Sequence, residues 1–121
     1  MITRADALDV MTVVVGAHPR TAPRWHDDPQ AAQATADVWA AMFNRHRLDA
    51  QTVKDAVIVR AADQPNTAPE PGEIIAVARQ LRRERSDREA TARALAPGNP
   101  ASESRRMEIL EQVRGIGRAV S

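Results

Sequence analysis

Residues 51–80 read QTVKDAVIVRAADQPNTAPEPGEIIAVARQ, which is two helical segments separated by three prolines. The residue before a proline is driven out of the α region, so the first segment is predicted to end before Pro65. Proline is favoured at the first helical position, so the second segment is predicted to begin at Pro71. Glu73 then lies in the first turn, where the positive end of the helix dipole favours a carboxylate. The segment DQPNTAPEP between the helices is predicted to be an extended, rigid connector.

Two more helices are predicted before this pair. The first begins at Thr3, where TRAD has the form of an N-cap followed by an acid at the third helical position. The second follows Asp28 and Pro29, which supply an N-cap and a proline at the first helical position. Asp49 is the predicted cap of the third helix. Together with the helix from Pro71, the chain has four predicted helices.

The composition also indicates an all-α protein. The chain has 121 residues, enough for one domain with a modest core. Alanine, the best helix former, accounts for 23 residues, whereas only three residues are aromatic. The predicted fold is a compact four-helix head over residues 1–82, and Ile58 is assigned to the inner side of the third helix. The side chains predicted to form its core are Leu8, Val15, Trp39, Phe43, Val57 and Ile74.

The apolar pattern stops after Leu81. Residues 83–121 are predicted to be a flexible, partly disordered tail that contains an arginine-rich extension, the linker APGNP and a short amphipathic helix. Whether residues 102–120 pack on the head or stay free is left open by the sequence. The apolar side chains of this last segment are predicted to contact a partner: Met107, Ile109, Leu110, Val113 and Ile116.

The net charge of +1 hides an asymmetry along the chain. Residues 1–78 carry seven basic and ten acidic side chains, a balance of −3, and residues 79–121 carry ten basic and six acidic, a balance of +4. Arginine pairs with phosphate through a planar fork, but here acids interleave with the arginines and aromatic stacking residues are absent. Direct nucleic-acid binding is therefore expected to be weak, and a protein-facing patch is favoured. Its predicted partner-binding arginines are Arg82, Arg83, Arg85 and Arg88.

Apart from threonine, the sequence offers no candidate nucleophile within the predicted head. Cysteine is absent, and serine occurs only at positions 86, 102, 104 and 121, all in the predicted tail. The chain lacks a glycine-rich phosphate loop, and its histidines are not spaced as a metal-ligand pair. We therefore expect no catalytic residue, cofactor or metal. No apolar run approaches the roughly 20 residues that a membrane span needs, so a cytoplasmic protein without a membrane partner is expected.

Four segments together resemble a known family: GAHPR, DVWAAMF, VKDAV and the proline connector before GEIIAVAR. Over residues 3–82 the chain resembles the phage replicative-helicase loader/inhibitor proteins, which are small helical proteins with a flexible C-terminal region. The residues that carry the resemblance are Trp39, Pro69 or Pro71, Glu73 and Ile74.

The resemblance implies a non-enzymatic adaptor in phage or prophage DNA replication, located in the host cytoplasm. Such a protein binds a hexameric DnaB-type helicase, restrains its ATPase activity and hands it to an origin-bound initiator. In this family the C-terminal part contacts the helicase, which implies a contact through the tail from about residue 83. Loader and inhibitor roles are not distinguished by the sequence. Two alternatives are a small DNA-binding regulator and an inhibitor of a host enzyme.

Overall fold

The computed structural model describes residues 1–96, and over that range it contains four α-helices, one 3₁₀ helix and no strand. The α-helices are α1 Arg4–Ala17, α2 Pro29–Arg45, α3 Ala50–Asp63 and α4 Pro71–Ala94, and the 3₁₀ helix η1 is Trp25–Asp27. The predicted all-α class with four helices is confirmed. The amphipathic segment with Met107, Ile109, Leu110, Val113 and Ile116 lies outside the described residues.

Local capping explains where α1 begins. Thr3 and Asp6 form a capping box, in which Asp6 N–H donates to Thr3 Oγ1 at 3.1 Å and Thr3 N–H donates to Asp6 Oδ2 at 2.9 Å. The Thr3 N–H and hydroxyl lower the pKa of the Asp6 carboxyl below its usual value. Two donors at the helix N-terminus are thereby satisfied, as TRAD predicts.

The later helices begin at the predicted caps. Asp28 accepts from Ala31 N–H at 3.1 Å with Pro29 at the first helical position, and Asp49 accepts from Thr52 N–H at 2.9 Å. Glu73 stands at the third position of α4 and accepts from Glu70 N–H at 3.1 Å, which caps the helix that follows the connector.

The core lies around α1, which packs against both α2 and α3. Trp39 and Phe43 are buried on α2 with ring centroids 6.1 Å apart in an edge-to-face arrangement. Val57 on α3 and Ile74 on α4 are fully buried. These four side chains were predicted for the core, and a fifth, Leu8, is partly buried against it.

The structure differs from the prediction at two aliphatic residues. Val15 is 39% exposed, because the inward stripe of α1 passes through Val10 and Val14, and the next residue is rotated by about 100°. Ile58 is 58% exposed for the same reason, since Val57 already occupies the inner face of α3. Both residues therefore belong to the surface of the head.

Residues 1–82 form one compact unit, and the second unit begins at Arg83. In the described part of this second unit, α4 continues to Ala94 and every side chain from Arg83 to Arg93 is exposed. A helix that is polar all round in this way is surrounded by solvent rather than by core. Flexibility and partner contacts beyond residue 96 stay predictions.

Candidate protein-binding site

An open cleft of about 420 Å³ lies between α1 and α2, within the first unit. The start of α1 is tied to the end of α2, because Ile2 N–H donates to Asn44 Oδ1 at 2.7 Å and Asn44 Nδ2 donates to Ile2 O at 2.9 Å. The cleft occupies the other end of the helix pair, where η1 supplies its third side. Its lining residues are Leu8, Met11, Thr12, Val15, Trp25, His26, Pro29, Ala32 and Gln33.

A bidentate ion pair stands between the tied end and the cleft. Arg4 Nε and Nη2 donate to the two carboxylate oxygens of Asp37, each at 2.7 Å. The Arg4 guanidinium lowers the pKa of the Asp37 carboxyl below its usual value. Both side chains are about half exposed, so the pair contributes little to stability. It links the two helices one turn before Leu8, the first residue of the cleft.

Trp25 forms the most distinctive part of the cleft. It is partly buried on η1, and its ring packs edge-on against the buried ring of Trp39, with centroids 5.5 Å apart. The segment before η1 contains Pro19 and Pro23, which prevent helix continuation from α1. Trp25 is thus held in a fixed position with part of its surface exposed, as is common for tryptophans that bind a partner protein.

The polar side chains of the cleft are few, and two of them, Thr12 and His26, already have partners. Thr12 Oγ1 donates to Leu8 O at 2.9 Å within α1. His26 Nε2 lies 3.1 Å from Asp27 Oδ1, and both side chains are exposed. The remaining lining is apolar apart from Gln33. This chemistry suits apolar side chains of a protein partner better than a polar small molecule, which needs several converging hydrogen-bond groups.

The predicted partner-binding arginines divide into two groups. Arg82 belongs to the first unit and has a structural contact, because its Nη1 donates to His46 O at 2.8 Å and to Arg47 O at 3.3 Å. It places a cation at the C-terminal end of α2, where the helix dipole favours one. Arg83, Arg85 and Arg88 lie in the second unit on the exposed extension of α4, interleaved with exposed acids.

The sequence assigns no partner-binding role to the residues of the cleft: Leu8 and Val15 are predicted for the core, and Pro29 for the first position of α2. The available signal was Trp25, a large aromatic residue in the proline-rich segment HPRTAPRWHDDP. A large aromatic side chain in a loop can be covered by the fold or can be available to a partner. Trp25 is partly covered, by Trp39, and partly exposed.

Two further properties concern the chain as far as residue 96. No three His, Asp or Glu side chains in this range come together in a way that could hold a metal ion. Each helix of the same range is too short or too polar to cross a bilayer.

No protein-family model matches the chain, and neither a curated protein nor a solved structure is similar to it at a significant level.

Proposed function

We propose that the chain is a non-enzymatic adaptor that binds a hexameric DnaB-type replicative helicase and regulates or delivers it in phage or prophage DNA replication. The observation that carries the adaptor part of this proposal is the apolar cleft between α1 and α2. An exposed valine and a fixed, partly exposed tryptophan line it, and the only ionisable lining residue is His26. A surface of this kind is typical of protein recognition.

The identity of the partner comes from the family resemblance. Trp39, Pro69 and Ile74 are buried in the head, and Glu73 caps α4. The residues that carry the resemblance thus lie in the four-helix head. Helicase binding is what the resemblance implies for a protein with such a head, and the cleft supplies a surface for it.

The proposal is tested by measuring the affinity of the full chain for the purified replicative helicase of its host, together with helicase ATPase activity. We expect a complex, and a change in ATPase rate whose sign distinguishes an inhibitor from a loader. Absence of a complex between full chain and helicase would overturn the proposal and leave the DNA-binding regulator or the host-enzyme inhibitor.

A matched pair of variants locates the contact on the head. Val15→Lys places a charge in the cleft, and Val38→Lys places one on an exposed valine of α2 that does not line it. Both positions are exposed, so both variants should fold, which circular dichroism checks. We expect Val15→Lys to weaken helicase binding about tenfold or more, as at an interface hot spot, and Val38→Lys to leave it unchanged. Equal affinities would exclude the cleft as the contact.

Truncation after residue 96 separates the head from the predicted tail contact. We expect the truncated chain to stay folded and to lose helicase binding, because the resemblance implies that the tail makes the main contact. Unchanged affinity of the truncated chain would refute the tail assignment while leaving the cleft as the site.

A further inference from the structure

The connector between α3 and α4 is held by side chains from other parts of the head. The connector contains a turn at Pro65 and Asn66, and its residues belong to no helix or strand. Arg60 on α3 donates through Nη1 to the carbonyl oxygens of Gln64, at 3.4 Å, and Thr67. Its Nη2 also donates to Gln64 Oε1 at 3.2 Å and to Thr67 Oγ1 at 3.4 Å. His18, which follows α1, lies with its Nδ1 3.3 Å from Pro65 O. The connector is therefore attached by hydrogen bonds from these two side chains and, nearer α4, by Ala68, which packs against the core, and by the buried Pro69.

Arg60 also joins the connector to α4. Its Nη2 donates to Glu73 Oε2 at 2.9 Å, while the other carboxylate oxygen of Glu73 accepts from Glu70 N–H. The Glu70 N–H and the Arg60 guanidinium lower the pKa of the Glu73 carboxyl below its usual value, so it is charged at neutral pH. One buried guanidinium thus holds both the connector and the first turn of the helix that follows.

Both side chains that hold the connector are buried, and each has one nitrogen without a hydrogen-bond partner in the described chain. His18 is 2% exposed and Arg60 is 5% exposed. Pro65 O only accepts, so His18 Nδ1 must be the donor in this contact. Neither His18 Nε2 nor Arg60 Nε has a hydrogen-bond partner among the residues that the structure describes. A buried polar network with unpaired nitrogen atoms holds the connector in place less strongly than a fully hydrogen-bonded network would.

The part of α4 in the first unit covers the core over a short length. Ile74, Ile75 and Ala78 are its buried residues, and Arg82 adds the contact to the end of α2. The remaining turns of this 24-residue helix are exposed or partly exposed. A helix that buries only a few side chains is the kind of segment that opens before the rest of a domain.

We propose that the connector is a releasable strap. When Arg60 and His18 release residues 64–67, α4 from Pro71 to Arg82 separates from the head as one unit while α1, α2 and α3 stay folded. Opening exposes the apolar surface that Ile74 and Ala78 cover, which gives the head a second conformation. This proposal does not depend on the helicase or on the cleft.

Native-state hydrogen exchange of the full chain at increasing, sub-denaturing urea concentrations tests the strap. We expect the amides of residues 75–82 to exchange about tenfold or more faster than the amides of Val10, Val14, Ala40 and Phe43. We also expect their exchange rate to depend only weakly on urea concentration, because a local opening exposes little surface. Exchange of both groups through the same global unfolding would overturn the proposal.

Variants separate release of the strap from general loss of stability. Glu73→Gln removes the charge that Arg60 binds but keeps an acceptor for Glu70 N–H, and we expect it to speed exchange at residues 75–82 several-fold to about tenfold. Exchange in α1 and α2 should stay unchanged. Arg79→Gln removes a charge at an exposed position of the same helix. It should leave the exchange rates unchanged both at residues 75–82 and in α1 and α2. An equal effect of Glu73→Gln on all helices, or no effect, would contradict a strap.

Discussion

Arg47 directly follows the cap of α2 and has a φ of 54°, the only positive φ of a non-glycine residue in the described chain. Its N–H donates to Asn44 O at 3.0 Å, and Leu48 N–H donates to Phe43 O at 3.2 Å, so this left-handed residue ends the helix. A residue with a side chain adopts that conformation at a cost of about 1 kcal/mol, which glycine avoids. We therefore expect Arg47→Gly to raise the free energy of unfolding by up to about 1 kcal/mol, measured by urea denaturation.

The control for this prediction is Arg45→Gly in the last turn of α2, which should lower the free energy of unfolding by about 1 kcal/mol. A loss of stability in Arg47→Gly as well would mean that the Arg47 side chain contributes more than its backbone conformation costs.

At the scale of single residues, the sequence predicts hydrogen bonds between residues within one helical turn but not those between residues far apart in the chain. The caps at Thr3, Asp28 and Asp49 involve partners three residues away, and all three are visible in the sequence. Arg82 instead contacts carbonyl groups 35 and 36 residues away, and nothing local separates it from the exposed Arg79. Arginine on a helix is usually exposed, so composition alone favours a surface role for each.

At the scale of the element, α3 contains adjacent aliphatic residues with opposite environments. Val57 is fully buried, and Ile58 is 58% exposed. We expect Val57→Ala to lower the free energy of unfolding by about 2 kcal/mol, because it removes two buried methyl groups and leaves a cavity. Ile58→Ala should change it by less than about 0.5 kcal/mol. Urea denaturation of the two variants measures both values, and a larger loss for Ile58→Ala would show that α3 is rotated about its axis.

The cleft shows why a site between elements is harder to predict than the elements themselves. Periodicity identifies the apolar residues of α1, but a run such as Val13–Val15 does not reveal which of them faces the core. That choice depends on where α2 and α3 lie relative to α1. Val15 was therefore predicted in the core and lines the cleft instead.

At the scale of the whole molecule, the charge asymmetry limits which partners are plausible. Residues 1–78 carry a balance of −3 and residues 79–121 a balance of +4. Between Arg83 and Arg93 four exposed arginines alternate with three exposed acids, so little net positive charge is presented there. Affinity for duplex DNA grows with the number of phosphates that cations neutralise, and this arrangement neutralises few.

A gel-shift assay with duplex DNA at two salt concentrations distinguishes the adaptor from the DNA-binding regulator. We expect at most a weak shift near 0.05 M salt that disappears near 0.2 M, because a few phosphate contacts are easily displaced by counterions. The chain truncated after residue 96 lacks the four arginines at positions 105, 106, 114 and 118 and is the matched control. Any low-salt shift should be weaker still for the truncated chain, since those four arginines are all of the basic side chains beyond α4. A complex of the full chain that persists near 0.2 M salt and depends on the DNA sequence would contradict the adaptor, because specific binding needs base contacts as well as charge.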